Sequence, residues 1–270
     1  MKRGAAAAKI NLALVVGPPR EDGRHELLTV YQRLALADRI AIEASPKLRV
    51  EGFAGDTLVR RALESISGGN GASFAARIQK RIPVAAGLGG GSSDAATALR
   101  LGNMLRDEPL DDAQLAAIAC ELGADIPYFL QDGPQLGSGD GTELEPLDLP
   151  QDYWVLLVVP RNVNKTSTAD VYAAFDSRQG KRGYAERAAA LRDALSGVGR
   201  PRDLAALPPN DLASSPVADE LRGLGAFRAD VTGAGPTVYG LFLHGDTARD
   251  ARKKISPKGR TWLTAPAWYR

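Results

Sequence analysis

The residues in this chain best suited to chemistry stand together in Pro83-Val-Ala-Ala-Gly-Leu-Gly-Gly-Gly-Ser-Ser-Asp-Ala-Ala96, where four glycines and two serines interrupt an otherwise patterned sequence. Before them Ala75–Ile82 alternates as a strand does, and after them Ser93–Arg106 carries apolar residues at helical spacing. The glycines therefore sit at a strand-to-helix turn. Lacking side chains, they let backbone N–H groups approach an anion, while Ser92, Ser93 or Asp94 can start a helix whose N-terminal end attracts negative charge. Phosphate is the ligand this chemistry suits; the same glycines would also serve a purely structural turn.

Two other positions could take part in such chemistry. Lys9 and Asn11 share one face of an apolar strand over Ala5–Val16, which reads either as that strand's solvated side or as a placed ammonium and amide. Asp125 precedes Ile-Pro-Tyr-Phe129 and is costly to bury unless bonded or chemically employed. It also suits a helix N-cap, with proline in the first turn, and the two roles are compatible.

Better-known motifs fail. No Gly-Lys-Ser/Thr triplet completes a P-loop, and the dinucleotide fingerprint lacks its third glycine, since Gly87-x-Gly89 leads to Ser92. His25-Glu-Leu-Leu-Thr29 has Thr where a zinc motif needs its second His, so no zinc site is expected.

The elements that must position these residues follow from composition and pattern. The 270 residues, 44% hydrophobic and 24% charged, can fill a globular core and suffice for two domains. A net charge of +2, from 34 Lys and Arg against 32 Asp and Glu, gives no nucleic-acid footprint and favours small-molecule partners. The single cysteine, Cys120, falls in an apolar helical pattern, is expected in the core, and suits a reducing compartment. Lys9 and Asn11 interrupt the apolar start, so it is not read as an export signal, and no stretch reaches the ~18 apolar residues of a membrane span.

A turn at Gly17–Gly23 should return the chain as a strand over His25–Ala44. Helices are expected over Asp56–Ser67, Asp111–Leu122, Thr168–Phe175 and Tyr184–Leu195, and a buried strand over Trp154–Pro160. The seven charged residues of Arg249–Arg260 read as a solvated face.

Pro83-x-x-x-Gly87-Leu88-Gly89-Gly90-Gly91-Ser92-Ser93-x-Ala95-Ala96 resembles the ATP loop of the GHMP kinases. Ala8-Lys9-Ile10-Asn11-Leu12 and Asp22-Gly23-Arg24-His25 resemble the opening of the bacterial and plastid 4-diphosphocytidyl-2-C-methyl-D-erythritol kinases, which usually have Tyr where Arg24 stands. Ala229–Phe242 resembles the third GHMP motif, a glycine turn before a strand that packs near the phosphate loop; by its own residues it is equally a plain hairpin. The resemblance covers nearly the whole chain.

It implies an α+β, two-domain GHMP kinase fold. Residues 1–151 would form a domain like ribosomal protein S5 domain 2 and residues 152–270 a ferredoxin-like domain, with the active site in the cleft between them. It also implies transfer of the γ-phosphoryl group of ATP to the C2 hydroxyl of 4-diphosphocytidyl-2-C-methyl-D-erythritol, on the non-mevalonate route to isoprenoid precursors. Asp125 matches the family's base and Lys9 its partner. Pro83, Val84, Ala85, Ala86, Gly87, Leu88, Gly89, Gly90, Gly91, Ser92 and Ser93 match the ATP loop, and Asp56 matches an adenosine-pocket position that commonly holds Asn. Asn11, His25, Thr168 and Tyr172 match the cytidine end, although Tyr172 reads equally as helix core. Arg24 either lays its planar guanidinium on the base in place of the usual aromatic or points into solvent.

Mg²⁺ is expected to arrive with ATP, with no protein ligand assigned. The expected protein is cytoplasmic, a monomer or weak homodimer, with a small-molecule substrate and no nucleic-acid or membrane partner. The rivals are another GHMP kinase acting on homoserine or mevalonate, and a nucleotide-binding module without catalysis.

Overall fold

The computed structural model describes residues 1–55, 57–67, 73–161 and 167–267. Two compact units interleave along the chain: the first takes residues 1–8, 36–84 and 89–132, the second residues 9–35, 85–88 and 133 onward. Strands β1 (Lys2–Pro19) and β2 (His25–Ser45) are long enough to give residues to both.

In the first unit, β3 (Arg49–Glu51) and helix α1 (Leu58–Ile66) lead to β4 (Ser73–Gln79). The end of β2 runs antiparallel to β4, from Arg39 opposite Gln79 to Ser45 opposite Ser73, and β3 runs parallel to it. Along β4, Phe74, Ala76 and Ile78 are buried while Arg77 and Gln79 are exposed, the alternation of a sheet wet on one face. Three helices follow: α2 (Gly90–Asn103), α3 (Asp112–Leu122) and α4 (Ile126–Leu130).

Gly102 lets α2 approach α1. A Cβ there would lie 2.6 Å from Ile66 Cδ1 and 3.1 Å from Leu63 Cδ2. A capping box starts α3, where Asp111 accepts from the Gln114 N–H at 2.8 Å and Gln114 Oε1 from the Asp111 N–H at 3.0 Å. That helix turns Leu115 and Ala119 inward and leaves Cys120, one residue further round, exposed. The core position expected for Cys120 is thereby corrected: apolar content along a short helix does not say which side faces in.

In the second unit, β5 (Gln135–Ser138) pairs with β2 through Thr29 to Tyr31, and β6 (Glu143–Pro146) with β5. Beyond them come β7 (Trp154–Pro160), α5 (Thr168–Ser177), α6 (Tyr184–Ser196), α7 (Pro216–Gly223), β8 (Arg228–Val231), β9 (Val238–Phe242), α8 (Gly245–Ile255) and β10 (Gly259–Thr264). The sheet order β10-β7-β9-β8, antiparallel throughout, is the ferredoxin-like arrangement that was expected. Leu156, Val158, Val238 and Phe242 of the sheet pack against Val217 and Leu221 of α7 and Ala248, Ala251 and Ile255 of α8. The charged residues of α8 lie outside that core, as expected.

Arg228 is buried beneath this sheet. Its guanidinium donates to the carbonyls of Leu12, Leu204, Leu207 and Pro208 and to the Tyr239 hydroxyl, so one side chain satisfies carbonyls from two distant stretches and a hydroxyl from a third. A separate cluster of Leu14, Val16, Phe175 and Leu212 seats α5.

Candidate active site

Lys9 is only 5% exposed, which rules out the solvated-face reading of its strand. A buried ammonium needs partners. Its Nζ donates to Asn11 Oδ1 at 2.9 Å and lies 5.2 Å from the centre of the Tyr31 ring. Asn11 is itself held, its Nδ2 donating to Thr29 Oγ1 at 2.8 Å and its backbone N–H to Thr232 Oγ1 at 2.9 Å. Thr232 Oγ1 in turn lies 3.3 Å from Asn11 Oδ1. The strand thus puts Lys9 and Asn11 on one face, and threonines from β2 and from the turn after β8 fix both. Asn11, expected at the substrate, is 4% exposed and spends its Oδ1 on holding Lys9. Tyr31 and Thr232 were not singled out from sequence, although Thr232 opens the glycine turn that was, and Thr29 was noted only as breaking a zinc motif.

The glycine stretch divides between the compact units after Leu88. In the second unit the Lys9 N–H donates to the Leu88 carbonyl at 3.0 Å, and Thr237 Oγ1 to the Ala86 carbonyl at 2.6 Å. Gly87, at φ +77°, lies so close to the turn between β8 and β9 that a Cβ would stand 2.6 Å from the Gly235 carbonyl oxygen. That turn packs on residues 86–88, as the third motif suggested.

In the first unit, Gly89 is the N-cap of α2 at φ +68°, with no side-chain cap. The helix therefore starts three to five residues before the Ser92, Ser93 or Asp94 expected to begin it. A glycine that takes the left-handed region removes the need for a capping hydroxyl. The first-turn N–H groups then carry no side-chain acceptor, which suits an anion. Val84 is exposed and Ser93 buried.

A buried ion triad braces the same region. Lys80 Nζ donates to Asp38 Oδ2 at 2.5 Å and to Asp94 Oδ2 at 2.6 Å, and both carboxylates are fully buried. Asp38 Oδ1 also accepts from the backbone N–H groups of Arg81 and Ile82. Burial acts to lower the Lys80 pKa, but the bonds to Asp38 and Asp94 outweigh it and hold the pKa above its ordinary value. Nothing in the spacing of these three residues marked them.

At the other end of β2, His25 meets three groups from one face of α5. The Tyr172 ring lies 4.8 Å away at 33°, the Phe175 ring 6.1 Å away edge-on, and Asp176 Oδ1 is 3.0 Å from Nε2. A carboxylate accepts, so the tautomer that makes this bond is the one with the proton on Nε2. Tyr172 is half-buried, packing against the Leu14, Val16, Phe175 and Leu212 cluster as well as facing His25, while Thr168, in the first turn of α5, is exposed. Arg24 is half-exposed and ion-paired with Asp140, whose carboxyl burial would raise but which bonds from Thr142 and Arg24 hold below the ordinary range.

Asp125 is at the N-cap of α4, with Pro127 in the first turn, yet its side chain makes no capping hydrogen bond. The cap role accordingly accounts for its place in the chain and not for its carboxylate. Asp56 lies outside the described residues. Among the described residues, no group of three or more His, Cys, Asp or Glu could hold a metal ion, and no helix is long and apolar enough to cross a membrane.

Residues 57–133 match the GHMP kinases N terminal domain and residues 204–260 the GHMP kinases C terminal domain. The chain is 38% identical over 268 residues to a 4-diphosphocytidyl-2-C-methyl-D-erythritol kinase of Anaeromyxobacter sp. (strain Fw109-5), covering 93% of this chain and 85% of that one. It is 39% identical over 283 residues to one of Pelobacter propionicus, covering 97% and 96%. A crystal structure of 4-(cytidine 5'-diphospho)-2C-methyl-D-erythritol kinase superposes with a TM-score of 0.80 at 32% identity, over 98% of this chain and 99% of that one. A mevalonate kinase superposes at 0.74 with 14% identity over 98% and 99%, which shows the fold alone. The departure at Arg24 notwithstanding, the glycine turns, the clamped lysine and this identity over the full length agree: the chain belongs to the 4-diphosphocytidyl-2-C-methyl-D-erythritol kinase family of the GHMP kinases.

Proposed function

We infer that this chain transfers the γ-phosphoryl group of ATP to the C2 hydroxyl of 4-diphosphocytidyl-2-C-methyl-D-erythritol. The observation that carries the reading is Lys9, buried on Asn11 and bonded through its backbone to Leu88 of the glycine loop. An ammonium so fixed is oriented before any substrate arrives, as stabilisation of developing charge requires.

An alcohol attacks phosphorus poorly until its proton is taken. In this reading Asp125 accepts the C2 hydroxyl proton as the new O–P bond forms and the bond from the γ-phosphorus to the ADP oxygen breaks. Lys9 favours the ionised form of that carboxylate and offsets charge on the moving group. Residues 83–93 take the ATP phosphates on backbone N–H groups. In this reading Mg²⁺ arrives on the nucleotide's own phosphates, with no protein ligand assigned.

At the cytidine end, Tyr172 and His25 come pre-assembled, with Thr168 in the first turn of the same helix as Tyr172. Arg24 bonds Asp140 through one guanidinium nitrogen, and in this reading a flat face of the guanidinium takes the base. Asn11 belongs to this end by the family resemblance, while its Oδ1 accepts from Lys9. The division into residues 1–151 and 152–270, a cytoplasmic location and a monomeric or weakly dimeric state belong to the same reading.

A coupled ADP-release assay tests it. Turnover is expected with the cytidylyl substrate and not with homoserine or mevalonate. Turnover with one of those alcohols instead would reassign the substrate, and ATP binding without turnover on any would leave a binding module.

A further inference from the structure

We propose that Lys80, held between Asp38 and Asp94, is a positioning residue for the nucleotide, fixing the strand that enters the glycine loop against the helix that leaves it. The proposal rests on reading residues 83–93 as the ATP loop. A partly buried ammonium there lies within hydrogen-bond distance of each of two fully buried carboxylates, and the phosphoryl transfer uses none of the three.

Their placement is specific. Lys80 directly follows β4, the strand before the loop, and Asp94 is in the second turn of α2, the helix after it. Asp38 comes from β2 and uses its second oxygen on the N–H groups of Arg81 and Ile82, the two residues after Lys80. One ammonium therefore ties the chain on both sides of the loop, and one carboxylate fixes the direction in which the chain leaves the strand. A Cβ at Gly90 would stand 3.5 Å from Lys80 Nζ, so the brace sits beside the first turn of α2.

The charges favour a brace over a ligand contact. Two carboxylates, fully buried, already share the ammonium at 2.5 and 2.6 Å. With its pKa held above the ordinary value, Lys80 stays charged through the neutral range. A lysine so engaged has little capacity left for a phosphate, but it sets where the first-turn N–H groups of α2 point. Displacing such groups by about an ångström can cost up to about 10²-fold in rate or binding.

Lys80→Met keeps the stem and removes the charge. The expected result is a ten- to hundredfold rise in both the KM for ATP and the calorimetric Kd for ATP, with the KM for the cytidylyl substrate within about twofold of the native value. Asp94→Asn keeps the shape and weakens one arm, so it gives a smaller change in the same direction and serves if Lys80→Met does not fold. A folded Lys80→Met with unchanged ATP affinity, or with both KM values raised alike, overturns the proposal; if Lys80→Met does not fold, the same two results for Asp94→Asn overturn it. Gly87→Ala tests the underlying loop reading separately: if it too leaves ATP affinity unchanged, the loop assignment fails, and if it alone weakens ATP, only the role of Lys80 does.

Discussion

Gly87→Ala adds one carbon, and the structure says what that carbon meets. The backbone there has φ +77°, where an L residue costs about 1–2 kcal/mol. The new Cβ would lie 2.6 Å from the Gly235 carbonyl oxygen and 3.3 Å from that of Thr232, where ordinary contact begins at 3.4 Å. Both neighbours are backbone, and the Thr237 bond to the Ala86 carbonyl and the Gly235 bond to the Thr232 carbonyl resist their parting. Forced overpacking of this kind costs about 1–3 kcal/mol more. The control is Gly133→Ala, at φ +69° with nothing within 4 Å of its Cβ, which carries the backbone cost alone. Thermal melts should place Gly87→Ala several degrees below Gly133→Ala, at about 2–4 °C per kcal/mol for a chain of this size. Steady-state kinetics should show the KM for ATP raised about tenfold in Gly87→Ala only, a change of ~1.4 kcal/mol. Equal melting losses in the two variants, with ATP affinity intact in both, would refute the reasoning.

The remaining predictions concern the base, the substrate end and the core. Asp125→Asn should lower kcat by about 10² or more while ATP still binds, and a rate within about threefold of native would return Asp125 to a purely structural role. Arg24→Ala should raise the KM for the cytidylyl substrate several-fold with the KM for ATP steady, Arg24→Tyr should restore much of the loss, and equal KM values for Arg24→Ala and native would remove this position from base recognition. Because Asp140 is held below its ordinary pKa, its pairing with Arg24 stabilises the fold above about pH 3.9 and is lost as pH falls through the folded value, so Arg24→Ala should flatten stability on the acid side. Arg228→Met takes a donor from four carbonyls, of which those of Leu12 and Leu204 keep a second one in the Tyr239 hydroxyl and the Leu207 N–H, and should cost about 2–4 kcal/mol in denaturant unfolding; a loss under ~1 kcal/mol would show that water replaces the guanidinium.

Local chemistry was legible in the sequence because it is written in adjacent residues. The Gly87–Gly91 run, the alternation of β1, the β-branched run of β7 and the spacing of α3 and α5 each specify a turn, strand or helix from neighbours alone, and the structure places those elements within a few residues of their expected bounds. The start of α2 was misplaced because a left-handed glycine cap and a hydroxyl cap satisfy the same helix end, and only backbone angles tell them apart.

What the sequence left undecided is what distant residues do to one another. Lys9 could have faced water until Asn11, Thr29 and Thr232, the last more than two hundred residues away, closed around it. Cys120 was read as core although the buried stripe of α3 passes one residue to its side. Asp38 and Lys80 looked like ordinary charged residues in separate segments, and Asp94 like a candidate helix cap. Burial makes them a unit, because a charge withdrawn from water must find its counter-charge, and the fold alone determines which segments arrive together to provide it.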